Sequence, residues 1–161
     1  MSFHILQMKK ILIFIAAGLL MAGCGNSEKK QAEALLQEAR TQFLEGKIDA
    51  ARATLDSLRK TFPTVIEARK GALRLHQEIE LKAAQNEMAR TDSLLQIANK
   101  ELETMQKEVE EHKAALKATP EELTALTRMR MRRDSIRTQF ETLGMKISYI
   151  HQKQKENEKS K

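Results

Sequence analysis

The sequence predicts an all-α protein built from two consecutive helical hairpins, and three observations support this. Only two prolines and six glycines interrupt the 161 residues, so helix breakers are rare. Charged residues make up 31% of the chain and aromatic residues 4%, a composition typical of long solvated helices rather than of a large catalytic core. Apolar side chains recur at three- and four-residue steps along most of the chain, which is the period of an amphipathic helix.

The N-terminal segment has the pattern of an export signal. Lys9 and Lys10 precede an apolar run over residues 11–22, which is too short to span a bilayer as a stable helix. The run ends in Gly23 and Cys24, the only cysteine of the chain. The sequence leaves open whether translation starts at Met1 or at Met8.

Residues 20–24, Leu-Met-Ala-Gly-Cys, resemble the lipobox of bacterial lipoproteins. The resemblance implies that the signal peptide, residues 1–23, is cleaved between Gly23 and Cys24, and that the Cys24 thiol carries a diacylglycerol. Residues 24–28 would then form a lipidated tether in contact with a bilayer. Gly25 after the acylated cysteine favours the outer membrane facing the periplasm, and the cell surface and the plasma membrane remain alternatives.

The first hairpin is predicted within residues 29–80. A helix over residues 29–45 carries an apolar stripe that includes Ala32, Leu36 and Ala39. Gly46 follows where a residue with positive φ is favoured. A second helix is predicted from Ile48 to Thr61, ending before Pro63.

This hairpin resembles one tetratricopeptide repeat. The matching residues are Ala39, Gly46, Ile48, Ala51, Leu55, Leu58 and Pro63. The resemblance implies two antiparallel helices that approach closely through small side chains, although Gln42 stands where an aromatic or apolar residue is usual. A short tether followed by such a repeat is also similar to the start of outer-membrane β-barrel-assembly lipoproteins. A generic αα-hairpin stays open as an alternative.

The second hairpin is predicted as an antiparallel coiled coil over residues 81–156, with its tip near 117–120. A capping box at Thr64 and Glu67 predicts the start of one long helix that meets no proline until Pro120. Thr119 and Glu122 predict the N-terminus of the returning helix, with Pro120 at its first position. Residues 157–161 are expected to be a disordered tail.

A heptad pattern defines the seam between these two helices. Its core positions are Leu81, Met88, Leu95, Ala98, Leu102, Val109, Met129, Ile136, Phe140, Leu143, Ile147 and Ile150. Leu116 and His112 continue the pattern toward the tip. With a tip near Thr119, the pattern places Ala98 against Phe140, Glu108 near Arg132 and Glu87 near Lys153.

The sequence predicts no enzyme, cofactor, metal site or small-molecule substrate. His76, His112 and His151 are far apart in sequence, and no Gly-rich phosphate loop or metalloprotease motif occurs. The formal net charge of +6 would favour nucleic acid, but an exported chain with few aromatic residues offers no stacking platform for bases.

Two surfaces remain as candidate partner sites. Arg128, Arg130, Arg132 and Arg137 either pair with glutamates across the hairpin or bind an anionic partner. Leu94, Ile97, Met145 and Tyr149 form a possible patch for a partner helix or for a second copy.

Together these patterns predict a membrane-anchored lipoprotein of the cell envelope that acts as a non-enzymatic scaffold or protein-interaction module. Its partner would be another envelope protein or a second copy of the chain. The alternative is a periplasmic holdase-type chaperone, or an accessory to outer-membrane protein assembly.

Overall fold

The computed structural model describes residues 25–159 and shows four α-helices. These helices are α1 (Gly25–Leu44), α2 (Ile48–Thr61), α3 (Ile66–Ala114) and α4 (Pro120–Lys159). The prediction of an all-α fold is confirmed. The chain divides into two compact units, with the boundary between His76 and Gln77 inside α3. The predicted signal peptide, Gly23, Cys24 and the last two residues of the tail lie outside the described residues.

At both ends of the described residues the helices extend beyond their predicted bounds. Helix α1 begins at Gly25, so residues 25–28 of the predicted tether are helical, and Gln31 Nε2 donates to Ser27 Oγ at 3.1 Å across one turn. At the other end, α4 continues to Lys159. Asn157 Nδ2 donates to Gln77 Oε1 of α3 at 3.3 Å, which holds this part of the expected tail against its neighbour.

The core of the first unit depends on alanines that let α1 and α2 lie close together. Ala32, Ala39 and Ala51 are fully buried, and they leave room for the larger Leu55 and Leu58, which are also buried. A branched side chain in place of any of these alanines would push the two helices apart.

A Schellman motif ends α1. Gly46 has φ of 77°, its N–H donates to the Phe43 carbonyl at 3.0 Å, and the Lys47 N–H donates to the Gln42 carbonyl at 2.8 Å. A side chain at this φ would meet its own backbone, which is why glycine is favoured here. Helix α2 then spans the predicted range, Ile48–Thr61.

The second unit is an antiparallel pair formed by the rest of α3 and by α4. Arg132 Nη1 lies 3.3 Å from Glu101 Oε2, and Lys146 Nζ lies 2.8 Å from Glu80 Oε2. The residue numbers of the partners on α4 therefore increase as those on α3 decrease, as expected for antiparallel helices. Leu102, Val109 and Leu126 form a buried cluster against which Met105 and Met129 pack.

The predicted register of this pair is wrong by one heptad. Arg132 pairs with Glu101 rather than with Glu108, and the partner of Glu80 is Lys146. Lys153 pairs with Glu156 of its own helix rather than with Glu87. Met88 approaches Gly144, so the predicted facing of Ala98 and Phe140 is also displaced.

The reason for the shift lies at the tip, where α3 ends at Ala114. The Leu116 N–H donates to the Lys113 carbonyl at 3.0 Å and the Lys117 N–H to the His112 carbonyl at 2.8 Å, which repeats the Schellman geometry seen after α1. Leu116 takes the place that Gly46 takes in the first unit, with φ of 56°. It is 95% exposed, so its assignment to the seam is wrong.

Leu116 offers a stabilising substitution. A non-glycine residue in the left-handed region is strained by contact of its Cβ with the backbone. We expect Leu116→Gly to raise the free energy of unfolding of the hairpin by about 1 kcal/mol, as measured by urea unfolding followed by circular dichroism. An unchanged or lower stability would contradict the strain assigned to this position.

Candidate interaction surfaces

The residues that resemble a tetratricopeptide repeat are assembled in the first unit. Ala39, Ala51, Leu55 and Leu58 are buried, Ile48 is half-buried and Pro63 is exposed beyond the end of α2. Gln42, the departure from the repeat pattern, accepts a hydrogen bond from Thr54 Oγ1 at 2.8 Å. This bond links α1 to α2.

The seam residues face the interior of the second unit. Ala98, Leu102, Val109 and Ile150 are buried. The other eight are half-buried: Leu81, Met88, Leu95, Met129, Ile136, Phe140, Leu143 and Ile147. Thr91, at a core position of the same pattern, is also buried.

The four residues of the predicted partner patch are exposed, but they do not lie together. Leu94 and Ile97 are neighbours on α3, and Met145 and Tyr149 are neighbours on α4. Because Met88 approaches Gly144, Met145 lies about 10 Å or more along the hairpin from Leu94. The surface therefore carries two small apolar sites, and Lys153 Nζ lies 5.6 Å from the ring centre of Tyr149 in one of them.

The arginine-rich stretch is only partly neutralised across the hairpin. Arg132 pairs with Glu101 of α3, whereas Arg137 pairs with Glu141 of its own helix at 2.9 Å. Within residues 25–159, Arg128 and Arg130 are exposed and form no ion pair. These two guanidinium groups are therefore available to an anionic partner.

The tip carries a polar network at the start of α4. The Thr119 N–H donates to Glu122 Oε2 at 2.9 Å, and the Glu122 N–H donates to Thr119 Oγ1 at 3.2 Å, so the predicted cap is a reciprocal capping box. His112 Nδ1 lies 2.7 Å from Glu122 Oε1 and links the box to α3. The Thr119 N–H and the His112 imidazole hold the pKa of Glu122 below its ordinary value.

This network predicts an acid-sensitive contribution to stability. A carboxylate with a lowered folded-state pKa stabilises the fold fully above its unfolded value, near 4.5, and loses that contribution as the pH falls through the folded value. We expect the native hairpin to lose more stability between pH 5 and pH 3 than a Glu122→Gln variant does, as measured by urea unfolding at each pH.

Glu121→Gln is the matched control for this experiment. Glu121 is the exposed neighbour of Glu122 in the first turn of α4. We expect this control to keep the acid sensitivity of the native chain. If the native chain and Glu122→Gln lost the same stability between pH 5 and pH 3, the role assigned to Glu122 would be contradicted.

The first unit also contains a surface depression that the sequence did not predict, which we term the basic groove. It has a volume of about 300 Å³. Its lining residues are Arg59, Ile66, Arg69, Lys70, Ala72, Leu73 and His76. Ile66 is 64% exposed and Leu73 is 49% exposed, so apolar side chains are open to solvent between the cationic ones.

The signal for the groove was present in the sequence but ambiguous. Ile66, Lys70 and Leu73 fall at three- and four-residue steps, so they share one face of α3. Sequence reasoning could not tell whether this face was covered by another helix. The exposure of Leu116 was not predicted for a different reason. Leu116 continues the heptad pattern of the seam, but α3 ends at Ala114, before that residue.

Comparison with known proteins adds no family assignment. No known protein family, no curated protein and no solved structure matches the chain. None of the helices within residues 25–159 contains an apolar stretch of the length that a membrane span requires. The same residues contain no group of three or more histidine, cysteine or acidic side chains placed to hold a metal ion.

Proposed function

We propose that the chain is a lipoprotein of the cell envelope, anchored through an acyl group on Cys24, and that it acts as a non-enzymatic scaffold or protein-interaction module. The observation that carries the proposal is the sequence of residues 20–24, which follows an apolar run preceded by two lysines. The proposed site is the outer membrane, with the body facing the periplasm.

The surfaces of the described residues support a role in interaction. The two packed helices of the second unit leave many of their residues exposed. The exposed residues include two pairs of large hydrophobic side chains, Leu94 with Ile97 and Met145 with Tyr149. Among the described residues, the guanidinium groups of Arg128 and Arg130 form no ion pair, and they add a site for carboxylates. Such features suit contact with another protein along the hairpin.

Metabolic labelling with palmitate tests the anchor. The proposal predicts label in the full-length chain, release of the labelled chain from membranes only by detergent, and loss of both properties in Cys24→Ala. Label retained in Cys24→Ala, or none in the native chain, would contradict acylation at Cys24.

Affinity capture of the acylated chain after cross-linking in membranes tests the interaction role. Stoichiometric recovery of one folded envelope protein or of a second copy would support the scaffold. Enrichment of unfolded outer-membrane proteins would instead favour the holdase alternative.

A further inference from the structure

The basic groove combines an open apolar floor with a surplus of positive charge. Residues 56–76 contain five lysines and arginines against two acidic residues. Arg59 pairs with Asp56 at 3.8 Å and Lys70 with Glu67 at 3.2 Å. These pairs are exposed, hence weak, and an incoming carboxylate can replace their acidic members.

The tip of the second unit has the opposite character, and we term residues 108–122 the acidic tip. The segment contains five glutamates against two lysines. At its end Leu116 projects into solvent with 95% of its surface exposed, and Leu123 beyond it is 41% exposed. Lys113, which pairs with Glu110, and Lys117 lie close to Leu116, but glutamates outnumber lysines in the segment as a whole. An exposed leucine in a segment of net negative charge is the complement of an apolar floor within a basic rim.

Two independent features single out Leu116 as a docking residue. A leucine that is 95% exposed buries almost no apolar surface and therefore does not stabilise the fold. Its φ of 56° adds backbone strain that glycine or asparagine would relieve. Its loop is held firmly on both sides, by the Schellman bonds that end α3 and by the Thr119–Glu122 capping box. The side chain is therefore presented in a preorganised loop, which lowers the entropy cost of binding.

We propose that the acidic tip of one copy docks into the basic groove of a second copy, with Leu116 between Ile66 and Leu73. A volume of about 300 Å³ is at the lower end of ligand pockets and admits a branched aliphatic side chain. Glutamates of the tip then face Arg59, Arg69 and Lys70. The two surfaces differ, so the contact is heterologous and can link copies into rings or chains.

This inference rests on the proposed function and names its partner. It is tested in the full-length, acylated chain by placing a photo-activatable phenylalanine at position 116, with two differently tagged copies produced in the same cells. Illumination should give a product of twice the chain mass that carries both tags. Mass spectrometry should locate the adduct within residues 59–76 of the second copy.

Charge reversal provides the specificity test. Lys70→Glu should lower the yield of this product at least about tenfold, because like charges then meet in the groove. Adding Glu111→Lys at the exposed end of the tip should restore most of it. Lys60→Glu is the matched control, since Lys60 is exposed on α2 but does not line the groove, and it should leave the yield unchanged.

Three outcomes would overturn self-docking: no doubly tagged product, an adduct outside the groove, or equal yields with Lys70→Glu and Lys60→Glu. An adduct to a different envelope protein would overturn self-docking while supporting the scaffold function. Failure of the anchor is detected separately by palmitate labelling. Leu116→Asn is the variant that controls for misfolding, because asparagine tolerates the left-handed conformation at this position. We expect it to abolish the interaction and to retain the helix content of the native chain.

Discussion

Leu55→Ala is expected to lower the free energy of unfolding of the first unit by about 2–5 kcal/mol, the range measured for truncation of fully buried leucines. Leu55 is 1% exposed and lies among the buried alanines that join α1 to α2. Each of those alanines carries only a methyl group, which is too short to fill the space that a missing isopropyl group leaves. The substitution therefore costs both the transfer free energy and an open cavity, measurable by urea unfolding.

Leu44→Ala is the control for this prediction. Leu44 is the last residue of α1 and is 85% exposed. Its truncation removes the same atoms without making a cavity, so its effect should stay within about 0.5 kcal/mol. A similar loss from both variants would contradict the packing assigned to the first unit.

Leu102→Asp should disrupt the second hairpin. Leu102 is 4% exposed and belongs to the buried apolar cluster with Val109 and Leu126. An aspartate there buries an unpaired carboxylate or becomes protonated, and the expected loss is about 3–5 kcal/mol. The measurement is urea unfolding followed by circular dichroism, with hydrogen exchange to locate the loss to α3 and α4.

Ile97→Asp supplies the matched comparison. Ile97 lies on the same helix and is 53% exposed, so an aspartate there remains hydrated. The expected change is within about 0.5 kcal/mol. If Ile97→Asp were as damaging as Leu102→Asp, the division between seam and surface in this hairpin would be incorrect.

Local features of the fold could be predicted because they depend on a few neighbouring residues. The turn at Gly46 and the bounds of α2 follow from a residue that tolerates positive φ. The start of α4 follows from a capping box formed by Thr119 and Glu122. Each of these signals is complete within one turn of helix.

The register of the second hairpin could not be predicted from its heptads. A shift of one heptad moves every apolar core position onto another core position, so the pattern itself does not distinguish the two alignments. The choice depends on where the chain turns. Leu116 adopts the left-handed conformation usually taken by glycine, so nothing in the sequence marked the end of α3 at Ala114.

The candidate surfaces were affected by the same uncertainty. The four-residue patch depended on the predicted register, and the observed register divides it into a pair on α3 and a pair on α4. The basic groove depends on which faces of α2 and α3 remain uncovered in the first unit. Periodicity identifies an apolar face but does not say what covers it.

Chemical cross-linking of paired cysteines tests most directly the antiparallel hairpin on which this account depends. In a Cys24→Ala background, Glu101→Cys with Arg132→Cys joins positions whose native side chains lie 3.3 Å apart. The comparison pair, Glu108→Cys with Arg132→Cys, is displaced by seven residues, or about 10 Å along the helix. A short bismaleimide should link the first pair within one chain and leave the second largely unlinked; preferential linking of the second pair, or linking of neither, would contradict the hairpin described here.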